Sequence, residues 1–199
     1  MSPRKYQMQA RAEAAAATRA KIVEAAKALH AARGVRATSW DEIAARARVA
    51  TATVYRHFPT LADLVPACAR SVFDIIRPPT LDEAAVKFAA LATPGERLAA
   101  LVGRSVSCYL LGADWLHAAY REREFVPELD RALRVIQDTL HVLVRAAAGR
   151  RLAKGEHAAL FTLCDFPFFK SLVDTGLDPR AVERRITELV IAVEKEGRR

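Results

Sequence analysis

The sequence predicts an all-α fold, and three observations carry that prediction. Its 199 residues are 52% hydrophobic and 27% charged, enough for a real core and too apolar for intrinsic disorder. Aromatics are scarce at 7%, while the helix formers Ala, Leu, Arg and Glu dominate. Alternating Thr/Tyr/Val-rich runs, the pattern of strands, are missing. No long Gly/Ser linker interrupts the chain, so it is expected to form one or two packed domains.

The first helix is expected over roughly 11–33. Ile22, Ala25, Ala26 and Leu29 recur at steps of three and four, and Gly34 is a natural stop. Ser39 followed by Glu42 has capping-box spacing and opens a short helix from Trp40 to about Ala47. A third runs from about Thr51 to His57 and Phe58, stopped by Pro59. A connecting helix over 62–76 is closed by Pro78-Pro79. Further helices are expected at 81–91, 94–111, 113–124, 127–148, 155–174 and 178–196, each bounded by Pro, Gly or a capping Asp. Leu129, Leu133, Ile136, Leu140 and Leu143 form an amphipathic stripe, and Pro167 should kink the helix that contains it. There is no internal repeat and no low-complexity tract beyond residues 14–17.

The net charge is +8, and its distribution says more than its total. Residues 1–60 hold eleven Lys/Arg against four Asp/Glu, an excess of seven, whereas the rest is nearly balanced. The first third therefore suits a polyanion, nucleic acid or a membrane surface. Cys68, Cys108 and Cys164 are odd in number and lack CxxC spacing, as reduced thiols in a cytoplasm would be. The start is a poor signal peptide, and no segment approaches the ~20 apolar residues of a membrane helix. A soluble cytoplasmic protein without a membrane partner is expected.

Three short helices with a tight turn between the second and third suggest helix-turn-helix geometry. Close crossing of two helices requires a small residue, which Ala44 supplies. The turn needs a compact hydrophobe, Val49, and Val54 returns from the next helix to lock against Ile43. Thr51, Ala52, Thr53, Tyr55, Arg56 and His57 remain, several of them small or polar enough to enter a major groove. Any small helical bundle can show similar spacing.

The stretch Thr38-Ser39-Trp40-Asp41-Glu42-Ile43-Ala44, then Val49 through Pro59, then Ala62-Asp63-Leu64 resembles the head motif of the TetR family of repressors. The likeness covers roughly residues 18–66 and includes the end of helix 1, Leu29 through Gly34. It implies a helix-turn-helix DNA-binding domain over 1–60 and a helical ligand-binding and dimerisation domain over 61–199. The implied partners are a double-stranded operator, a small-molecule effector and a second copy of the chain. Thr38 and Ser39 would meet a phosphate, and Thr51, Ala52 and Thr53 would lie over base edges. Tyr55 and His57 would touch backbone phosphates or a thymine methyl, with Arg56 nearby. Arg4, Lys5 and Arg11 would form a mobile arm along the DNA. Trp40, Ile43, Val54, Phe58 and Leu64 would be head core.

The head departs from the family at four positions. Arg48 stands where Gly is usual, at about 1–2 kcal/mol if left-handed. Ala50 replaces the usual capping Ser, leaving Thr51 as the nearest hydroxyl to cap helix 3, turned away from DNA. Thr51 and Leu61 replace frequent lysines. Two fewer phosphate partners predict a shallower salt dependence, since each contributes a log–log slope of about −0.9.

In the body, semipolar groups interrupt apolar faces. Ser105, Cys108, Tyr109, Trp115, Tyr120, Asp138, His141, Phe166 and Phe169 are the residues expected to line a ligand pocket. Each is individually also what a satisfied core or interface would contain. His117, His141 and His157 lack metal-ligand spacing, so neither a metal nor a cofactor is expected. There is no Gly-rich phosphate loop, GxSxG or paired-carboxylate signature, which argues against an enzyme. The last two helices are expected to pair with their copies in a homodimer, through Leu160, Leu163, Leu172, Ile186, Leu189, Val190 and Val193. A ligand-released repressor leads. A constitutive DNA-binding dimer and a small all-α enzyme or carrier are the alternatives.

Overall fold

The computed structural model describes residues 3–198, with side chains described from residue 7 onward. Among these residues there is no strand. The head comprises α1 (Pro3–Arg33), α2 (Trp40–Ala47) and α3 (Thr51–His57). The connecting helix α4 (Leu61–Ile76) leads into α5 (Leu81–Ala89), α6 (Pro94–Glu122), α7 (Pro127–Ala148), α8 (Lys154–Cys164), α9 (Phe166–Asp174) and α10 (Pro179–Glu196).

Local chemistry explains most boundaries. Ser39 and Glu42 form the expected capping box, and Thr80–Glu83 and Thr93–Glu96 repeat it at α5 and α6. Pro94, Pro127 and Pro179 sit in first turns, where a missing N–H leaves nothing unpaired. Gly149, at φ +67°, ends α7 in the left-handed conformation that glycine adopts without steric cost.

Three expectations are corrected. First, α1 extends back to Pro3, so the segment expected as a mobile arm continues the helix. The Arg4 and Lys5 side chains lie outside the described residues. Second, the segments expected as 94–111 and 113–124 are one helix. Gly112 is no stop: it is buried, and a Cβ there would meet Ile76 Cγ2 at 3.2 Å. The glycine lets α4 and α6 pack closely.

Third, the expected 155–174 helix is two. Asp165 is extended (φ −80°, ψ 155°) and its Oδ1 accepts from the Phe166 N–H at 2.8 Å. Pro167 then falls in the first turn of α9, so it starts a helix and does not kink one. The buried Asp165 carboxylate also accepts from Tyr120 Oη at 2.8 Å and Gln137 Nε2 at 3.0 Å. These bonds compensate the burial of its charge.

Two cores share α4. Ile22, Ala26, Ile43, Ala44, Val54, Phe58, Leu64 and Cys68 pack the head. Val65, Ala69 and Val72, on the other side of α4, belong to the body core with residues from α5 to α10. Trp40 is only partly buried against the head core. Leu160, Ile186 and Val190, expected at a seam between two copies, are 0–2% exposed inside the protomer's own core. They cannot also meet a partner without unpacking it; Leu163, Leu172, Leu189 and Val193 stay half-buried.

Head and body also meet through one carboxylate. Glu122, ending α6, is 8% exposed, and its Oε2 accepts from the N–H of Val35 at 2.7 Å and of Arg36 at 3.1 Å. Gly34 makes the approach possible, because a Cβ there would fall onto the Glu122 carboxylate, and its φ is +96°. Arg36 completes the contact over the ring of Phe125, 4.4 Å from its centroid. Beside it the buried His30 is pulled down to about 4 by desolvation, partly opposed by Glu122, and so is neutral near pH 7.

Arg48 offers a direct test of backbone strain. It sits at φ 58°, ψ 46°, and its side chain is exposed. That conformation costs an L-residue about 1–2 kcal/mol, while glycine gives back roughly 0.5–1 kcal/mol through its freer unfolded chain. Arg48→Gly is expected to raise the melting temperature by roughly 1–4 °C. A melting curve that stays put or moves down would mean the turn is relaxed.

Candidate nucleic-acid interface

The head builds a protruding helix from its inside outwards. Val54 and Phe58 are fully buried and pin α3 to α1 and α2. Arg19 of α1 lies over the Phe58 ring, 4.3 Å from its centroid. With these two residues turned inwards, Ala52, Tyr55 and Arg56 are exposed, and Thr51, Thr53 and His57 are half-buried. The turn before α3 is closed by the Arg48 N–H, bonding to the carbonyls of Ala44 and Ala45.

Several residues of this surface are held in place. Tyr55, 45% exposed, rests on Trp40 with ring centroids 5.1 Å apart. Thr51 Oγ1 donates to Asp41 Oδ1 at 2.7 Å, so it ties α3 to α2 and does not cap α3. The N-cap position is Ala50, with no side-chain bond, which leaves N–H groups of the first turn open on that side. Ser39 donates its hydroxyl to Glu42 at 2.8 Å, and Thr38 donates to the Gly34 carbonyl at 2.7 Å. The Ser39 backbone N–H and hydroxyl, then Arg33, hold the Glu42 carboxyl down at about 2. It is therefore ionised under ordinary conditions and keeps the start of α2 fixed.

Asp41 and Arg33 also belong to this scaffold, Asp41 through Thr51 and Arg33 through Glu42 at 2.7 Å. Asp41 lies inside the family-like stretch, but its role arises from a partner ten residues away that no local spacing marks. Exposed Arg46 and Arg48 also flank the α2–α3 turn; Arg46 enters the sequence argument only through the charge excess, and Arg48 only through that excess and its backbone.

In the body, the expected pocket residues divide. Ser105, Cys108 and Tyr109 line a cavity of about 420 Å³ between the end of α4, the start of α5, α6 and α7. Its walls are Phe73, Ile76, Leu101, Leu116, Ile136 and Leu140, with Arg104 among them. Trp115 is buried and lines a separate cleft with residues of α1 and α4. Tyr120, Phe166 and Phe169 form an aromatic cluster with Tyr109, centroids about 5.5–6.0 Å apart. His141 stacks on Phe161 at 3.8 Å, and Asp138 is exposed. None of these six borders the cavity.

No group of three or more His, Cys, Asp or Glu that could hold a metal occurs among the described residues. The His141 and His157 rings approach to 5.0 Å without a third ligand. All three cysteines are buried, and desolvation pushes the Cys68 and Cys164 thiols up to about 12 and raises Cys108 too. Such thiols are poor nucleophiles. Among the described residues no helix is long and apolar enough to cross a membrane.

The fold and the exposed third helix thus define a helix-turn-helix protein with a helical body. Residues 22–68 match the model of the bacterial regulatory proteins of the tetR family. Solved structures agree on the fold. A TetR-like transcriptional regulator from Rhodococcus sp. RHA1 superposes with a TM-score of 0.64 at 18% identity, covering 87% of this chain and 93% of that one. A tetR-family regulator from Streptomyces coelicolor gives 0.60 at 19% identity, covering 88% and 78%. The multidrug binding protein EbrR, solved with imidazole, gives 0.55 at 22% identity, covering 88% of each. No curated protein sequence matches the chain. The head thus matches the tetR-family model over residues 22–68, and the chain shares its overall fold with these solved regulators.

Proposed function

We propose that this chain is a homodimeric repressor whose α3 lies in the major groove of a palindromic operator and whose body releases DNA on binding a small molecule. The observation that carries the reading is the two-sidedness of α3. Val54 and Phe58 anchor it by complete burial, while Ala52, Tyr55 and Arg56 face outwards. Ala52, with Thr51 and Thr53 beside it, is small enough for a close approach to base edges. Tyr55, Arg56 and His57 then reach towards phosphates or a thymine methyl, and Thr38 and Ser39 place the start of α2 against the backbone. Residues 1–60 act as the reading head and 61–199 as the sensing and pairing body, with the first turns of α4 packed into the head. Two copies joined through the last helices would set the α3 helices about 34–36 Å apart or further.

A gel shift with the DNA upstream of the chain's own gene, at two salt concentrations, tests the reading. Retardation that weakens with salt is expected, with a shallower slope than a lysine-rich head. Absence of binding to any palindrome there or beside neighbouring genes would end it. Tyr55→Ala is expected to weaken operator binding roughly tenfold to hundredfold, the effect of losing one specific contact, without changing the dimer. Undiminished affinity would remove Tyr55 from the contact surface.

The cavity of about 420 Å³ favours a ligand-responsive regulator over a constitutive one. A compound that both raises the melting temperature and releases DNA supports sensing. DNA binding that no cavity ligand alters would favour the constitutive reading.

A further inference from the structure

The body cavity has a one-sided polarity that narrows what can occupy it. Most of its wall is aliphatic or aromatic, from Phe73 and Ile76 of α4 round to Ile136, Leu140 and Leu143 of α7. Among the described residues its only charged lining residue is Arg104, and no carboxylate lines it. A cationic ligand would enter such a site without a counter-charge and would lose its hydration uncompensated.

The remaining polar groups are mostly committed. Tyr109 Oη donates to the Cys164 carbonyl at 2.8 Å, and Thr139 Oγ1 donates to the Val135 carbonyl at 2.8 Å. Cys108 Sγ points to the Ile76 carbonyl at 3.5 Å, and Thr80 Oγ1 accepts from the Glu83 N–H at 3.2 Å. Arg104 is different: one guanidinium nitrogen, Nη2, donates to the carbonyl of Arg77, the residue that caps α4. A guanidinium has five N–H donors, so most of its capacity stays available. Glu83 feels its charge but is spent on the N-terminus of α5, accepting from the Thr80 N–H at 2.8 Å. Ser105 adds a hydroxyl next to Arg104 in the same wall.

We infer that the cavity takes an amphiphile with an extended apolar body and one compact anionic head, a carboxylate in the simplest case, seated on Arg104 and Ser105. This rests on the reading of the cavity as the effector site. The apolar part lies along Phe73, Leu101, Leu116 and Ile136. A head group bound by Arg104 competes with the Arg77 carbonyl for the same guanidinium, so occupancy is felt at the end of α4. The guanidinium fork matches a carboxylate in two parallel bonds, which a hydroxyl cannot reproduce.

The test uses three probes with one apolar chain and three heads: decanoate, 1-decanol and decylammonium, each below its micelle concentration. Binding to the full-length chain is followed by calorimetry. Decanoate is expected to bind at least roughly tenfold more tightly than decanol, with decylammonium weakest. Arg104→Gln should remove that preference by weakening decanoate alone, and Arg104→Lys should restore part of it. Ile136→Trp, which fills the cavity, should abolish binding of every probe, with circular dichroism confirming that each variant is folded. Decanol or decylammonium binding as well as decanoate, with Ile136→Trp still blocking all three, would overturn the anionic head while leaving the cavity as a ligand site. No binding by any probe, or binding that survives Ile136→Trp, would overturn both.

Discussion

Phe58→Ala is expected to lower stability by about 3–5 kcal/mol and the melting temperature by roughly 6–20 °C. The size follows from position. Phe58 is fully buried where α1, α3 and α4 converge, in one cluster with Ile22, Val54 and Leu64. Deleting the ring removes its transfer energy and leaves a cavity in a core of short helices that cannot easily collapse. It also strips Arg19 of its aromatic partner. Because α3 ends at His57 and owes its placement to Val54 and Phe58, DNA binding should fall with head stability. Thermal melting and a gel shift on the same preparation check both halves. A variant that melts like the parent would show that the head core is held elsewhere.

Glu122→Ala is expected to cost about 2–4 kcal/mol, through a different mechanism. The carboxylate is the acceptor for the buried N–H of Val35 and the partly buried N–H of Arg36, 87 and 86 residues away in sequence. Without it, a buried donor loses its charged partner, at about 1–3 kcal/mol for each group left unsatisfied. Glu122→Gln keeps an acceptor oxygen but loses the charge, and should cost about half as much. Amide hydrogen exchange at Val35 and Arg36 should accelerate in the alanine variant, before global unfolding. Unaltered exchange at both amides would mean that water replaces the carboxylate without loss.

The head was legible because its signals are local. Ser39 with Glu42, the apolar pair Ile43 and Val54, and Pro59 after Phe58 lie within one short stretch, and each boundary they predict is where α2 and α3 begin and end. The body was legible only as helices. Gly112 reads as a stop, but its purpose is the close approach of Ile76, which depends on α4 lying alongside. Asp165 followed by Pro167 is a start signal of the same kind as Asp178 followed by Pro179, yet the apolar pattern running through it suggested continuity.

The cavity was half legible for a related reason. Semipolar residues on apolar faces mark buried positions, and Ser105, Cys108, Tyr109, Trp115, Phe166 and Phe169 are all half-buried or buried. Whether a buried position faces a void or a neighbour depends on helix crossing, which periodicity does not encode. Arg104 has no such mark, since a lone arginine on a helix reads as solvated. Glu122 was invisible for the strongest reason, because both of its partners lie in another part of the chain.

The chain's two indoles fall on opposite sides of the Glu122 contact. Trp40 is half-exposed in the head beneath Tyr55, whereas Trp115 is 5% exposed in the body. The protein therefore carries two built-in fluorophores of contrasting polarity, one for each part. A soluble quencher such as iodide reaches the first and is shielded from the second, so emission colour and quenching separate events in the head from events in the interior without any attached dye.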